Sequence, residues 1–329
     1  MATASAPLTT HLQNFVVPWI FLLQSLLSLP PLILHLLLTL NLATLLSPSR
    51  LKYAWFSRFW EKFAPSVRLN SEARVVPLLQ GRVSRGAVVD RPAHPPVSGT
   101  VIEIGPGSGM WVSLFSEDYL DKDSADGGGS TPRRATRSSS SSSSKPPSVT
   151  RVFGVEPNPD VHAALRRRVA AAGLSDTYEV VPTGIEDLAP SGRVPRESVD
   201  CVVSILCLCG IPDPQHNVRE VYRLLKPGGR WYAYEHVRCT HSWYMRAYQK
   251  EREGERERER TKLIHPSSSA PLKGLINLFW PHFLGGCELD RDTGRSLREA
   301  GTWSKIDLEP CVDEDWSSPI PHIIGVLTK

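Results

Sequence analysis

The chain has 329 residues, 41% hydrophobic and 22% charged, with a formal net charge of +4. That length suits one Rossmann-sized domain with additions or two small domains, and the composition excludes a collagen, a disulfide mini-protein and a wholly disordered chain. The charge is too mild to make nucleic acid the main partner, and the six cysteines (Cys201, Cys207, Cys209, Cys239, Cys287 and Cys311) show neither paired CxxC nor metal-ligand spacing, so they read as reduced thiols facing a cytosol.

Met1 to Ser49 contains no Asp, Glu, Lys or Arg, and Phe15 to Leu46 is nearly continuous Leu, Ile, Val, Phe and Pro. A bilayer core needs about 20 apolar residues in a helix, and this run exceeds that. No basic segment precedes it and no A-x-A site follows it, so a cleaved signal peptide is a poor fit. Pro30-Pro31 falls in the middle, which leaves one long kinked span or two half-length helices in a hairpin. Residues 1–49 are therefore expected to anchor the chain to a membrane. Arg50, Lys52, Arg58 and Lys62 follow and put that side in the cytosol. Trp55, Phe56, Phe59, Trp60 and Phe63 fall on one helical face. They predict a helix lying at the lipid headgroups, or one packed on the domain, within a segment 50–98 of interfacial or lid helices and linker.

From residue 99 onward the pattern alternates strand and helix. Thr100–Ile104 predicts a strand that ends in a glycine loop, with Met110–Tyr119 as the following helix. Asp121–Ser148 holds three consecutive glycines and seven consecutive serines (Ser138–Ser144) and lacks apolar surface to offset its ordering entropy. Arg151–Glu156 is a second strand, and Pro157-Asn-Pro-Asp160 starts a helix buried through Val161, Leu165 and Val169. Tyr178–Val181 and the largely apolar Asp200–Leu206 are the third and fourth strands. Asp213-Pro214 opens a helix that Lys226-Pro-Gly-Gly229 stops, and Arg230–Glu235 is the fifth strand. Lys250–Ser269, with alternating Glu and Arg, reads as a solvated insertion. Trp303–Leu308 and His322–Leu327 have no helix between them and predict an antiparallel hairpin. The whole is a Rossmann-like α/β fold over residues 99–329, a seven-stranded sheet closed by a C-terminal antiparallel hairpin, with insertions at about 121–148 and 250–269.

Glu103-Ile-Gly-Pro-Gly-Ser-Gly109 lies between a predicted strand and helix, where glycines let the backbone approach a ligand at the carboxyl edge of the sheet. Its glycines fall at 105, 107 and 109; the nicotinamide fingerprint GxGxxG would need one at 110, which is Met. Glu156 ends the second strand, where a carboxylate can accept both hydroxyls of a ribose. It stands about 50 residues beyond the loop instead of about 20, and removing the serine-rich insertion restores the interval. These residues predict a nucleoside-bearing cofactor.

The loop E-I-G-P-G-S-G, the acid in V-E-P-N-P, G-I-E-D-L after the third strand and L-L-K-P-G-G before the fifth resemble the class I S-adenosylmethionine-dependent methyltransferases, type 11 group. The resemblance covers roughly Val101 to Lys329 without the insertions, and Pro106 departs from it in a slot often held by Cys or Ala. The apolar anchor, E-H-V after the fifth strand and F-W-P-H-F-L-G-G-C-E-L look closer to one branch, the membrane-anchored methyltransferase-like proteins of the endoplasmic reticulum and lipid droplets. Some of that branch are thiol S-methyltransferases. The resemblance implies S-adenosyl-L-methionine as cofactor. Gly105, Gly107 and Gly109 would line its methionine and ribose part, Glu103 would help hold the amino group, and Glu156 would take the ribose hydroxyls. Gly184, Ile185 and Glu186 would flank the adenine, and Ser204, Ile205 and Leu206 would form the floor beneath the sulfonium.

The implied chemistry is in-line displacement at a methyl on a positively charged sulfur, so the protein mainly orients and desolvates the nucleophile. A thiol acceptor must first lose its proton, and a base near neutral pKa helps. His236 is the leading candidate, with Glu235 to orient it or contact the acceptor, and His282 is the second. Cys207 and Cys209 read as small apolar fillers. Trp243, Tyr244, Trp280 and Phe283 would wall a pocket for a small lipophilic acceptor, with the Tyr53–Phe63 helix as lid. Three functions compete: methylation of a small thiol, O- or N-methylation of a lipid, quinone or secondary metabolite, and a non-catalytic membrane scaffold. The expected place is the endoplasmic reticulum or lipid-droplet membrane, catalytic domain toward the cytosol. The sequence leaves the oligomeric state open.

Overall fold

The computed structural model describes residues 8–120, 148–239, 276–314 and 318–329. Most of Asp121–Ser148, all of Lys250–Ser269, and Trp243 and Tyr244 lie outside these.

The fold is built on a sheet of seven strands: β3 (Gly99–Ile104), β4 (Val149–Val155), β5 (Tyr178–Val181), β6 (Val199–Ile205), β7 (Leu225–His236), β8 (Lys305–Pro310) and β9 (His322–Thr328). Their order is β5-β4-β3-β6-β7-β9-β8. The first five are parallel, and β9 runs antiparallel between β7 and β8. Strand order reverses between β4-β3 and β6, so the carboxyl ends of β3, β4 and β6 meet at a switch point, where open α/β sheets bind ligands. Alternation along each strand divides the core into two layers. Val101, Cys201, Val203, Tyr232 and Tyr234 face one side, and Ile102, Val202, Trp231 and Ala233 the other. Helices α5 (Pro159–Ala171), α6 (Ile185–Leu188), α7 (Pro214–Leu224) and α9 (Thr293–Arg298) cover the sheet.

One expectation is corrected and one open alternative is settled. The helix expected over Met110–Tyr119 is a 3₁₀ turn at Val112–Phe115 followed by the short α4 (Glu117–Leu120). The Arg68 guanidinium takes the Met110 carbonyl that an α-helix would use, and the Leu114 N–H turns to Trp111 at 2.9 Å. Of the two shapes left open for the N-terminus, one continuous helix is present. Helix α1 (Leu8–Leu38) runs through Pro30 and Pro31, each of which removes one backbone donor.

Past Leu40 and the short α2 (Leu42–Leu45), the chain doubles back as α3 (Pro48–Leu79), which reaches the domain and leads into a small hairpin, β1 (Val83–Ser84) and β2 (Ala87–Val88). The aromatic face foreseen over Trp55–Phe63 is packed. Phe59 is fully buried against Leu22 of α1 and Trp280 of α8 (Trp280–Phe283), and it stacks on Phe63 at 4.6 Å. The Trp55 indole N–H reaches the Ser25 carbonyl at 2.8 Å, and the Ser25 hydroxyl reaches the Phe283 carbonyl at 2.8 Å. Ser25 and Ser28 of α1 thus face inward, while Phe15, Ile20, Leu23, Leu27, Leu34 and Leu38 are exposed.

Candidate active site

The turn from β3 into the 3₁₀ segment needs left-handed backbone at Gly105 (φ 62°), Gly107 (φ 58°) and Gly109 (φ 89°), which only glycine adopts without strain. A Cβ on Gly105 would meet the Cys207 Cβ at 2.8 Å, and one on Gly109 would meet Leu165 at 2.9 Å. These two glycines let the loop close on β6 and α5. Among the described residues a Cβ on Gly107 would meet nothing within 4 Å, so the middle of the loop faces open space there.

Glu156, at the end of β4, is buried beside this loop. One of its oxygens accepts the Gly107 N–H at 2.8 Å and the other the Asn158 N–H at 2.8 Å. Burial moves the Glu156 carboxyl up, and the two amides oppose that. Each oxygen keeps a lone pair for a further donor such as a ribose hydroxyl. Helix α3 stands over this corner, with the Asn158 amide donating to the Ser57 hydroxyl at 2.8 Å. Glu103 is buried inside β3 and accepts a short hydrogen bond from the Tyr178 hydroxyl of β5. Burial pushes its carboxyl up to about 7; the Tyr178 bond opposes the shift and the Glu156 charge adds to it.

The remaining cofactor candidates divide. Gly184 caps α6, Ile185 is buried in the second core layer, and Glu186 lines a surface pocket with His216 and Glu220. The Ser204 hydroxyl accepts the Trp231 indole N–H at 2.9 Å, and Ile205 is buried in the first core layer. Leu206 takes a left-handed turn (φ 54°) that swings the chain past Gly105. A non-glycine residue held there costs about 1–3 kcal/mol, and such positions cluster at functional sites.

Glu235 and His236 end β7. The Glu235 carboxylate is fully buried and accepts the N–H groups of Cys207 (3.0 Å) and Leu208 (3.1 Å), so it holds the loop after β6 in place. Burial raises it to about 7 against those bonds. His236 Nε2 lies 3.0 Å from the Cys287 sulfur, while Nδ1 is buried without a partner among the described residues. Burial disfavours a charge on His236, but the Cys287 sulfur outweighs that and moves the imidazole up. A hydrogen bond with Cys209 holds the Cys287 thiol well below the usual range. His282 stands exposed on α8, and Trp280 and Phe283 turn toward the α1–α3 packing. Cys287 was missed as a site residue, and Cys209 was read as filler. They come from separate segments and meet only through the fold.

A parallel switch point carrying a GxGxG loop and an acid one strand away is the arrangement that the resemblance to class I methyltransferases implies. A methyltransferase-domain family matches residues 137–233. The human thiol S-methyltransferase TMT1A is 27% identical over 184 residues, covering 56% of this chain and 64% of that protein. The rat thiol S-methyltransferase TMT1B is 28% identical over 193 residues with the same coverages. The chain thus spans under two thirds of the length of these relatives. A Mesorhizobium loti S-adenosylmethionine-dependent methyltransferase structure overlays with a TM-score of 0.43 at 16% identity, covering 72% of this chain and 94% of that one. The family match and the two relatives agree with the resemblance read from the motifs, which implies S-adenosyl-L-methionine as the cofactor. The residues fit it: open space above Gly107, a free lone pair on each Glu156 oxygen, and a buried Glu103 carboxylate for an ammonium group.

Proposed function

We propose that the chain transfers a methyl group from S-adenosyl-L-methionine to a small lipophilic acceptor at a membrane surface, a thiol being the acceptor favoured. The observation that carries this reading is the Glu156 carboxylate joined to the Gly107 amide, beside open space at the sheet's switch point. When bound, the cofactor supplies an electrophilic methyl on a sulfonium. The protein's part is placement. Glu103 and Glu156 hold opposite ends of the ligand, Gly105 lets Cys207 approach, and α3 keeps water from the corner at Asn158. Similarity to thiol S-methyltransferases supports a thiol as acceptor.

The membrane part rests on α1. Gln13–Leu38 is long and apolar enough to cross a bilayer, with mean hydropathy 1.9, and Leu23, Leu26, Leu27, Leu34, Leu37 and Leu38 point outward while Leu22, Leu32 and Leu36 are buried. Exposed apolar surface of that extent suits lipid. We assign it to the endoplasmic reticulum or lipid-droplet membrane, with the basic start of α3 on the cytosolic side.

The test is a methyl-transfer screen with labelled donor over lipophilic thiols, phenols and amines, using full-length protein in detergent. Transfer to thiols is expected. Transfer to phenols or amines alone would move the assignment to O- or N-methylation, and donor binding without transfer would leave a scaffold.

A further inference from the structure

Three potential ligand atoms converge where β6, β7 and the segment after α8 meet. The sulfurs of Cys209 and Cys287 and a ring nitrogen of His236 all lie within 4.8 Å of one another. Cys209 and His236 are buried, and Cys287 is half-buried. The backbone enforces the meeting. The Glu288 N–H donates to the Cys209 carbonyl at 3.1 Å, and Gly286 turns with φ 97° just before Cys287. Arg291 donates to the carbonyls of Leu208 and Ile211, on either side of Cys209. Tetrahedral zinc, with bonds of about 2.3 Å to sulfur and about 2.0 Å to nitrogen, places its ligand atoms roughly 3.5–4 Å apart. The 3.0 Å between His236 Nε2 and the Cys287 sulfur opens to that span with a small side-chain movement.

We propose that Cys209, Cys287 and His236 form a three-ligand zinc site whose fourth position takes an exogenous thiolate. Two thiolates and an imidazole suit a borderline-soft divalent ion, and three protein ligands leave a tetrahedral ion open at one corner. The surroundings fit. The Trp280 indole N–H donates to the Cys287 sulfur at 3.2 Å, an outer contact of the kind that orients a metal ligand. His236 Nδ1 has no hydrogen-bond partner among the described residues; with Nε2 on the metal it keeps the ring's proton, and the contact between Nε2 and the Cys287 sulfur gives way to one bond from each atom to the ion. Cys209 lies two residues beyond Cys207, whose Cβ abuts Gly105, so the site borders the glycine loop. On binding, both cysteine protons leave to solvent, and an incoming thiol coordinates as thiolate by losing its own proton to solvent. The thiolate-acceptor half rests on the proposed function; the zinc half does not.

The test uses full-length protein, reduced and stripped with a chelator, titrated with cobalt(II) alone. One equivalent should give the intense visible bands of tetrahedral thiolate-bound cobalt, and zinc should abolish them. Cys209→Ser and Cys287→Ser should each weaken binding by more than about 100-fold, beyond what loss of an outer-shell contact causes. Cys311→Ser should not. Binding of S-adenosylhomocysteine by the variants reports that they fold. Should they not fold, X-ray absorption on the zinc-loaded wild type should count two sulfurs and one imidazole nitrogen. Absence of the bands, or their survival in both serine variants, overturns the site. A Cys209–Cys287 disulfide that, once reduced, still binds no metal overturns it too. Adding a lipophilic thiol should shift the cobalt spectrum, and a phenol should not. No shift with the thiol overturns the fourth-position claim while leaving donor binding and methyl transfer to be judged on their own.

Discussion

The hydroxyl of Tyr178 in β5 donates to the buried carboxylate of Glu103 in β3, reaching across β4 to do so. It crosses above Gly154: a Cβ there would meet the Tyr178 hydroxyl at 2.2 Å and its ring at 2.5 Å. Glycine at 154 is therefore a condition for Tyr178 to steady Glu103. Gly154→Ala should displace the ring and destabilise the fold by about 1–3 kcal/mol, the usual cost of overpacking. Denaturant unfolding checks it; an unchanged midpoint would contradict the crossing.

The same pair sets a pH dependence. Burial raises Glu103 in the folded protein to about 7 from 4.5, so the folded state favours its protonated form. Stability from this group is complete below its unfolded pKa and is lost as pH rises through about 7. Donor binding runs the other way, because an ammonium group needs the ionised carboxylate. Affinity for S-adenosylhomocysteine by calorimetry should rise through that range. Tyr178→Phe removes a bond that favours the ionised form and should move the midpoint upward. A flat wild-type profile would remove Glu103 from the ammonium site.

The loop glycines separate by what lies over them. Gly107→Ala meets open space, so it costs the fold only the left-handed backbone, about 1–2 kcal/mol, yet places a methyl where the ligand sits. It should stay folded and lose donor affinity. Gly105→Ala adds contact with Cys207 to the same backbone strain and should be the less stable of the two. Equal melting temperatures would contradict this.

Helix α1 has a packed face and a free one. Phe59→Ala empties the packing between α1, α3 and α8 and should cost about 3–5 kcal/mol with membrane attachment retained. Leu23→Glu with Leu27→Glu, at positions 53% and 63% exposed, should release the protein from membranes at little cost to the fold. Flotation and thermal unfolding of each variant read the two effects. Because α1 covers Phe59, deleting residues 1–49 should also lower stability, which a detached tether would not do.

The sheet was legible because its signals are local. Buried parallel strands are mostly apolar, Asn158 and Asp213 flag helix starts, and Lys226-Pro-Gly-Gly229 marks the approach to β7, though that strand already begins at Leu225. The glycine loop and Glu156 were legible once the serine-rich stretch was set aside. What stayed hidden depends on contacts between distant segments. Arg68 unmakes the expected helix after the loop from 42 positions away. The aromatic stripe of α3 announces that it will be buried, without saying whether lipid or α1 covers it. Cys209, His236 and Cys287 carry no spacing signal because their neighbourhood exists only after folding.

The central claim is tested most directly by calorimetry of S-adenosylhomocysteine against full-length wild type and Glu156→Ala. Loss of a charged hydrogen-bonding partner that also braces the loop should weaken binding by about 1.5–3 kcal/mol, a factor of roughly 10 to 150, with the protein still folded. Binding by the variant as tight as by the wild type would contradict the assignment of this corner to an adenosyl cofactor.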